Sequence, residues 1–179
     1  EREVRALAKF KDSMFGSALI LALLALLVTF MLVLTYTITK PRIEQMEQTR
    51  MNLAREEVLP GSTDFQEVTN DSLHGGVEAA YQETGGKGYV FRVSRPGYGG
   101  PITFMIGVDP QGACTGISVL SHEETPGLGA KITESSFIQR FIGVTNANEV
   151  DGITGATVSS VAMRSALSNA FEAWEALTV

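Results

Sequence analysis

Residues 151–160 combine glycines with hydroxyl side chains immediately before a predicted long helix. The two glycines and Ala156 leave the backbone open to close approach by a ligand. The first N–H groups of a helix have no partner within the helix, and they favour an anion such as a phosphate. Hydroxyls surround this point at Thr154, Thr157, Ser159 and Ser160. A helix cap formed by Thr157 or Ser159 explains the same residues equally well, so composition leaves both interpretations open.

A second segment with two glycines, residues 122–131, follows a predicted β-hairpin. It reads His-Glu-Glu-Thr-Pro-Gly-Leu-Gly-Ala-Lys and brings two carboxylates, an imidazole and an amine into one loop. We expect His122 to structure this loop rather than to donate a proton. A ligand contact by Lys131 is no better supported than a plain surface charge.

The remaining polar residues exclude several classes of protein. The only histidines are His74 and His122, which excludes a His-rich metal site, and the single cysteine excludes a C-x-x-C motif. That cysteine, Cys114, lies in a predicted strand, where a small packed residue is more common than a nucleophile. The 179 residues include 14 basic and 20 acidic ones, and the net charge of −6 disfavours binding to nucleic acid. We therefore predict no catalytic constellation and no metal site.

The apolar residues are concentrated at positions 13–39, which contain no Asp, Glu, Lys or Arg. A helix of this length is roughly 40 Å long, and the hydrocarbon core of a membrane is roughly 30 Å thick. A cleavable signal peptide would have a shorter apolar run followed by small residues, which the polar exit at 35–39 lacks. The sequence therefore predicts one transmembrane helix at 13–39, preceded by a short segment at 1–12. Basic residues flank the helix equally on both sides, so charge leaves its orientation open.

Beyond the apolar stretch, the pattern of the sequence changes twice. Residues 40–61 place apolar residues among charges at helical spacing and end in Leu-Pro-Gly, which predicts a stalk helix running on from the membrane. Residues 62–179 contain short alternating apolar runs between turn signals, with strands predicted at 89–93, 102–108 and 113–120. Helices are predicted at 133–141 and 157–177. Together these elements predict an α+β domain with a mostly antiparallel sheet and packed helices.

Two of these elements have a predicted buried face. Alternation in the second strand places Ile102, Phe104, Ile106 and Val108 on one side, and a type I turn is predicted at 109–112. The long helix is predicted to bury a stripe formed by Val158, Val161, Ala162, Ser165, Ala170, Phe171, Trp174 and Leu177.

The chain resembles a family of flavoproteins. Residues 151–157 match the D-G-x-T-G-[AS]-T flavinylation sequence at every specified position: Asp151, Gly152, Thr154, Gly155, Ala156 and Thr157. Residues 124–129 resemble a segment that lies near the flavin in those FMN-binding domains, and residues 97–102 and 59–61 fit the same pattern. Over nearly the whole chain, the sequence is similar to the G subunit of Rnf-type ion-translocating ferredoxin:NAD oxidoreductase complexes. The related C subunit of the sodium-pumping NADH:quinone oxidoreductase is the alternative.

The resemblance implies a covalent cofactor. A flavin transferase would join FMN through its phosphate to the hydroxyl of Thr157. Candidate flavin-binding residues beside Thr157 are Asp151, Gly152, Thr154, Gly155, Ala156, Glu124, Thr125, Gly127, Leu128 and Gly129. Glu124 and Thr125 are expected to form hydrogen bonds to the ring or the ribityl chain. Asp151 is expected to form an Asx turn with Gly152, and the alternative is that it orients the loop or contacts the transferase.

The same resemblance implies a membrane-anchored electron-transfer subunit. Its partners would be the other membrane and redox subunits of the complex, and its redox chemistry would belong to the isoalloxazine ring. The flavin domain would lie on the periplasmic or extracytoplasmic side of a bacterial or archaeal cytoplasmic membrane. The alternatives are an anchored regulator built on the same FMN domain and a non-redox binding module.

Overall fold

Helix α1, Met14–Val58, contains the predicted transmembrane segment and continues through Pro41 into the predicted stalk. The computed structural model describes residues 14–68 and 75–178, so the predicted segment at 1–12 and His74 lie outside the described residues. The chain divides into two compact units, Glu1–Thr49 and Arg50–Val179. As predicted, the helix ends just before the Leu-Pro-Gly sequence at 59–61.

Helix α1 is apolar on all sides up to position 39. Its large apolar side chains between positions 19 and 38 are exposed, and the helix is long and apolar enough to cross a membrane. The hydroxyls of Thr29 and Thr35 donate to the carbonyls of Ala25 and Met31, each at 2.8 Å. Because these hydroxyls bond to the backbone of their own helix, they do not need water.

Five antiparallel strands follow in the second unit and form one sheet in sequential order. They are β1 (Phe65–Val68), β2 (Val77–Glu83), β3 (Tyr89–Pro96), β4 (Pro101–Val108) and β5 (Cys114–Ser121). The three predicted strands correspond to β3, β4 and β5. The predicted turn at 109–112 is confirmed by the N–H of Gly112, which donates to the carbonyl of Asp109 at 3.0 Å.

One face of the sheet is covered by helix α3, Thr157–Thr178. The predicted inward residues of β4 are all fully buried on this side: Ile102, Phe104, Ile106 and Val108. The predicted stripe of the helix is wrong at Val158 and Val161, which are 49% and 43% exposed. Ala162 and Ala170 of the stripe are buried as predicted, and the helix also buries Met163, Ala166, Leu167 and Ala173. These mostly small side chains let the helix lie close to the sheet, which turns the two valines away from it.

The segment before helix α3 is less regular than predicted. In place of one helix at 133–141, the chain forms a 3-10 turn (Gly129–Thr133), the short helix α2 (Ser135–Ile138) and a second 3-10 turn (Gln139–Phe141). The extended backbone of Glu134 separates the first two, so a continuous helix cannot form. A further 3-10 turn, Ala147–Glu149, precedes the loop that leads into helix α3.

The end of helix α1 covers the opposite face of the sheet. Ala54, Val58 and Leu59 pack there against Val90 and Met105 in a second buried cluster. These residues belong to the second compact unit, which begins at Arg50.

Two paired glycines allow this close approach. Gly107 of β4 lies opposite Gly116 of β5, and a Cβ atom on Gly107 would lie 2.2 Å from the carbonyl oxygen of Val58. The hydroxyl of Thr115 donates to the same carbonyl at 2.5 Å. The last helical carbonyl thus has a partner in the sheet.

We predict that Gly107→Ala lowers the free energy of unfolding by about 1–3 kcal/mol, because the added methyl group collides with the Val58 carbonyl. Without that contact, Gly→Ala in a strand would stabilise the fold. Urea unfolding of the full chain in detergent, followed by the fluorescence of the single tryptophan, measures the change. Ser136→Ala, at an exposed position, is the control. A Gly107→Ala chain as stable as this control would contradict the packing described.

Candidate functional site

Segments 122–131 and 151–160, each of which contains two glycines, meet at one cleft of about 410 Å³. Its walls come from the turn between β3 and β4, the segment after β5 and the start of helix α3. The lining residues are Tyr98, Glu124, Thr125, Leu128, Gly129, Gly155, Ala156, Thr157, Val158 and Ser159. This volume is within the range of small-molecule sites, about 300–1,000 Å³.

Thr157 is the first residue of helix α3, and its side chain is exposed in this cleft. The loop before it is held by Ser160, whose Oγ accepts the N–H of Ile153 at 2.9 Å and donates to the carbonyl of Ala156 at 2.8 Å. Gly155 has a φ of +82°, a conformation that side-chain-bearing residues rarely adopt. These contacts fix the loop that leads into helix α3, where Thr157 lines the cleft.

Neither Thr157 nor Ser159 caps helix α3. Within residues 14–68 and 75–178, the hydroxyl of Thr157 has no hydrogen-bond partner, and that of Ser159 donates to Glu124 instead. Across the same ranges, the N–H groups of Thr157, Val158 and Ser159 also have no backbone acceptor. Free N–H groups beside a free hydroxyl favour the phosphate interpretation over the cap.

Glu124 connects the three walls of the cleft. Its Oε1 accepts the N–H groups of Tyr98 and Gly99 at 2.8 and 3.1 Å, and its Oε2 accepts the Ser159 hydroxyl at 2.5 Å. The side chain is only 5% exposed. Burial by itself raises the pKa of Glu124, but the Ser159 hydroxyl, the two N–H groups and the nearby His122 outweigh it. The pKa therefore lies below its ordinary value, and the carboxylate is ionised at neutral pH.

Glycines make room for this carboxylate. A Cβ atom on Gly97 would lie 2.2 Å from Oε1, and one on Gly129 would lie 2.1 Å from Oε2. Neither position can carry a side chain unless Glu124 moves. Gly129 belongs to segment 124–129, which the family resemblance places near the flavin. Within this structure, the space that a side chain at Gly129 would need is filled by the carboxylate of Glu124.

The structure brings most of the predicted site residues to the cleft. Seven line it: Glu124, Thr125, Leu128, Gly129, Gly155, Ala156 and Thr157. Four do not: Asp151, Gly152, Thr154 and Gly127. In the part of the chain that the structure describes, the Asp151 carboxylate accepts no hydrogen bond, so the expected Asx turn is absent.

Three lining residues were not among the predicted site residues: Tyr98, Val158 and Ser159. Tyr98 lies in the glycine-rich turn that already fitted the family pattern, so the sequence held a signal for it. The helical pattern predicts a buried Val158. Ser159 is expected either near a bound anion or as a helix cap, and it is not among the candidate flavin-binding residues.

The other singled-out side chains have structural or surface positions. His122 Nδ1 accepts the N–H of Glu124 at 3.2 Å, in agreement with a loop-structuring role. Lys131 is exposed and does not line the cleft. Cys114 is buried in the core, and burial raises the pKa of its thiol to about 12, so the thiol stays protonated.

Comparison with known proteins finds a family match for the domain that contains the cleft and another for the N-terminal helix. The model of the FMN-binding domain matches residues 97–172, and that of the RnfG N-terminal region matches residues 8–58. The G subunit of an ion-translocating oxidoreductase complex from Methanosarcina acetivorans is 32% identical over 79% of this chain and 84% of its own length. The chain belongs to this family of G subunits.

Two further proteins are similar to this member of the G-subunit family. The G subunit of the Na(+)-translocating ferredoxin:NAD(+) oxidoreductase complex from Acetobacterium woodii is 28% identical, over 92% of this chain and 93% of that relative. Among solved structures, the C subunit of the Na(+)-translocating NADH-quinone reductase from Parabacteroides distasonis is 24% identical, with a TM-score of 0.47. That match covers 56% of this chain and 62% of the other.

We predict that acid weakens the fold through Glu124. Because the folded-state pKa is below the ordinary value of 4.5, the stabilisation is complete above pH 4.5 and is lost as pH falls through the folded-state pKa. Glu124→Gln should lower the free energy of unfolding at pH 7 by about 1.5–3 kcal/mol and reduce the acid dependence. Urea unfolding at a series of pH values measures both effects.

The neighbouring Glu123→Gln is the matched control, because Glu123 is exposed. It should keep the stability and the acid dependence of the unmodified chain. If the two variants behaved alike, Glu124 would not be the group that links these segments.

Proposed function

We propose that this protein carries FMN as a phosphate ester of Thr157 and passes electrons between redox centres of an ion-translocating oxidoreductase complex. The observation that carries the proposal is the free Thr157 hydroxyl at the start of helix α3, inside the cleft of the FMN-binding domain. Its relatives are named as subunits of such complexes, and the Acetobacterium woodii relative is named for ferredoxin and NAD(+). Those names favour the Rnf type of complex over the quinone reductase alternative.

The cleft has the two surfaces that an FMN ester needs. At one end, the free N–H groups of Val158 and Ser159 lie beside the Thr157 hydroxyl and would bind the phosphate oxygens. Apolar surface from Tyr98, Leu128 and Val158 is available for the flat ring. The fit depends on this combination of polar and apolar walls.

Attachment is the transfer of an FMN phosphoryl group to a hydroxyl. The Thr157 Oγ loses its proton and forms a bond to the FMN phosphorus, while the phosphoanhydride bond of an activated FMN breaks and its second phosphate-containing group leaves. The chain that remains has the mass of its sequence plus FMN minus one water. We propose that a separate flavin transferase supplies the activated FMN. The protein contributes an unhindered hydroxyl, held at the helix start by the loop that Ser160 fixes.

The site residues suit electron transfer rather than acid–base catalysis. Bound FMN supplies the redox chemistry through its isoalloxazine ring. The one buried carboxylate at the cleft, Glu124, has both oxygens engaged by protein donors and is not free to move a proton. The role of the protein is then to bind FMN and to fix the position of its isoalloxazine ring.

We propose that helix α1 anchors the protein in a bacterial or archaeal cytoplasmic membrane with the flavin domain on the extracytoplasmic side. The apolar, exposed surface of the helix supports the anchor. The side rests on the resemblance to the family. A covalent ester suits that location, because a lost FMN would not readily be replaced there.

We predict that Thr157→Val abolishes covalent flavin, because the variant keeps the shape of the residue and removes the reacting oxygen. The chain is produced together with the flavin transferase, and its mass is measured after denaturation. The unmodified chain should be heavier than its sequence by FMN minus one water. Thr145→Val is the matched control and should keep the adduct, since Thr145 is exposed, lies outside the flavinylation sequence and does not line the cleft. Covalent flavin that persists in Thr157→Val would refute the assignment.

We predict that Ser136→Cys reacts with a membrane-impermeant maleimide in intact cells, because Ser136 is an exposed residue of the flavin domain. The parent chain is a built-in control, since Cys114 is buried and the pKa of its thiol is raised to about 12. Labelling of Ser136→Cys only after lysis would place the domain in the cytoplasm.

A further inference from the structure

The ring of Tyr98 lies at the cleft without a partner of its own. It is 76% exposed, and within the described residues its hydroxyl makes no hydrogen bond. A large aromatic side chain in this position exposes apolar surface to water, which is unfavourable unless another group covers it. Tyr98 shares the cleft with Thr157.

The turn that carries Tyr98 has little stiffness of its own. Three of its four residues are glycines, Gly97, Gly99 and Gly100, and glycine has the largest conformational freedom in the chain. One backbone bond, from the N–H of Gly97 to the carbonyl of Gly100 at 2.8 Å, closes the turn. Two further N–H groups, those of Tyr98 and Gly99, donate to Glu124.

The same carboxylate holds the first turn of helix α3. Its second oxygen accepts the hydroxyl of Ser159, two residues after Thr157. Glu124 thus connects the backbone of Tyr98 directly to the helix turn that carries Thr157. Three of the roughly four acceptor positions of the carboxylate are thus filled by protein donors, and the backbone of Gly97 and Gly129 packs against its two oxygens.

We infer that Glu124 is a positioning residue rather than a flavin ligand, and that it holds the Tyr98 ring against the isoalloxazine of an FMN attached at Thr157. This inference rests on the proposed function. The flavin itself would then cover the exposed face of the Tyr98 ring, in a stacked arrangement that aromatic rings favour. Loss of the carboxylate releases the turn, so the tyrosine ring leaves the flavin while the ester at Thr157 remains.

Flavin fluorescence reports this contact. When a tyrosine ring touches an excited flavin, one electron passes from the ring to the flavin and then returns, so the emission is quenched and both groups are unchanged. The flavinylated full chain is purified in detergent, and its emission is expressed per covalent flavin as determined by mass. A residue with a merely structural role elsewhere in the domain would not change this value.

The inference predicts a specific pattern of emission. Tyr98→Leu should be severalfold brighter than the unmodified chain, and Tyr98→Trp should stay quenched, because an indole ring also donates an electron. Glu124→Ala should be about as bright as Tyr98→Leu, and the double variant should be no brighter than either. Glu123→Ala is the matched control and should stay quenched, because it removes an exposed neighbouring carboxylate.

Two results would overturn the inference: a quenched Glu124→Ala chain, or a double variant with the combined effects of both single changes. If Glu124→Ala does not fold, Ser159→Ala decides, because it removes one contact of the carboxylate and leaves the two N–H groups in place. A brighter Ser159→Ala chain supports the inference, and an unchanged one contradicts it.

A second readout separates this inference from the proposed function. In the Thr157→Val background, amide hydrogen exchange at residues 97–102 should be severalfold faster with Glu124→Ala than with Glu123→Ala. Faster exchange with Glu124→Ala shows that Glu124 holds the turn at 97–100, with or without flavin. If the unmodified chain, produced with the transferase, also carried no covalent flavin, the proposed function would be refuted while this role of Glu124 stood. Equal exchange rates would refute the role of Glu124 alone.

Discussion

The ionised carboxylate of Glu124 joins its own segment to one that lies 25 to 26 positions earlier in the chain and to one that lies 35 positions later. Each of its oxygens accepts at least one hydrogen bond, which is the condition for keeping a charge in the interior of a domain. Because Gly97 and Gly129 pack directly on those oxygens, the turn, the segment after β5 and the helix start can meet only around this group. The cleft is the space left between them.

The sheet provides the rigid base for that meeting point. Helix α3 packs on one face through small side chains, and the last turns of helix α1 pack on the other, where paired glycines admit the carbonyl of Val58. The compact unit that contains the sheet therefore includes residues from Arg50 onward. With both faces of the sheet covered, the loops that form the cleft start from fixed strand and helix ends.

Local patterns predicted much of this architecture, and long-range contacts explain what they missed. The alternation of β4, the turn at 109–112 and the start of helix α3 at Thr157 all depend on neighbouring residues, and the sequence predicted them. Strands β1 and β2 were not predicted, because their apolar residues are few and do not alternate cleanly. No local signal identifies Glu124 as the partner of Ser159, and the exposure of Val158 follows only from how closely the helix packs.

The central claim is that the cleft holds FMN bonded to the first residue of helix α3. Trypsin releases residues 141–164 as one peptide, which also contains Thr145, Thr154, Ser159 and Ser160. Fragmentation of this peptide by tandem mass spectrometry, from the chain produced with its transferase, locates the modified oxygen. We predict that this peptide carries FMN minus one water on Thr157 alone. An unmodified peptide, or flavin on any of the other hydroxyls, would contradict it.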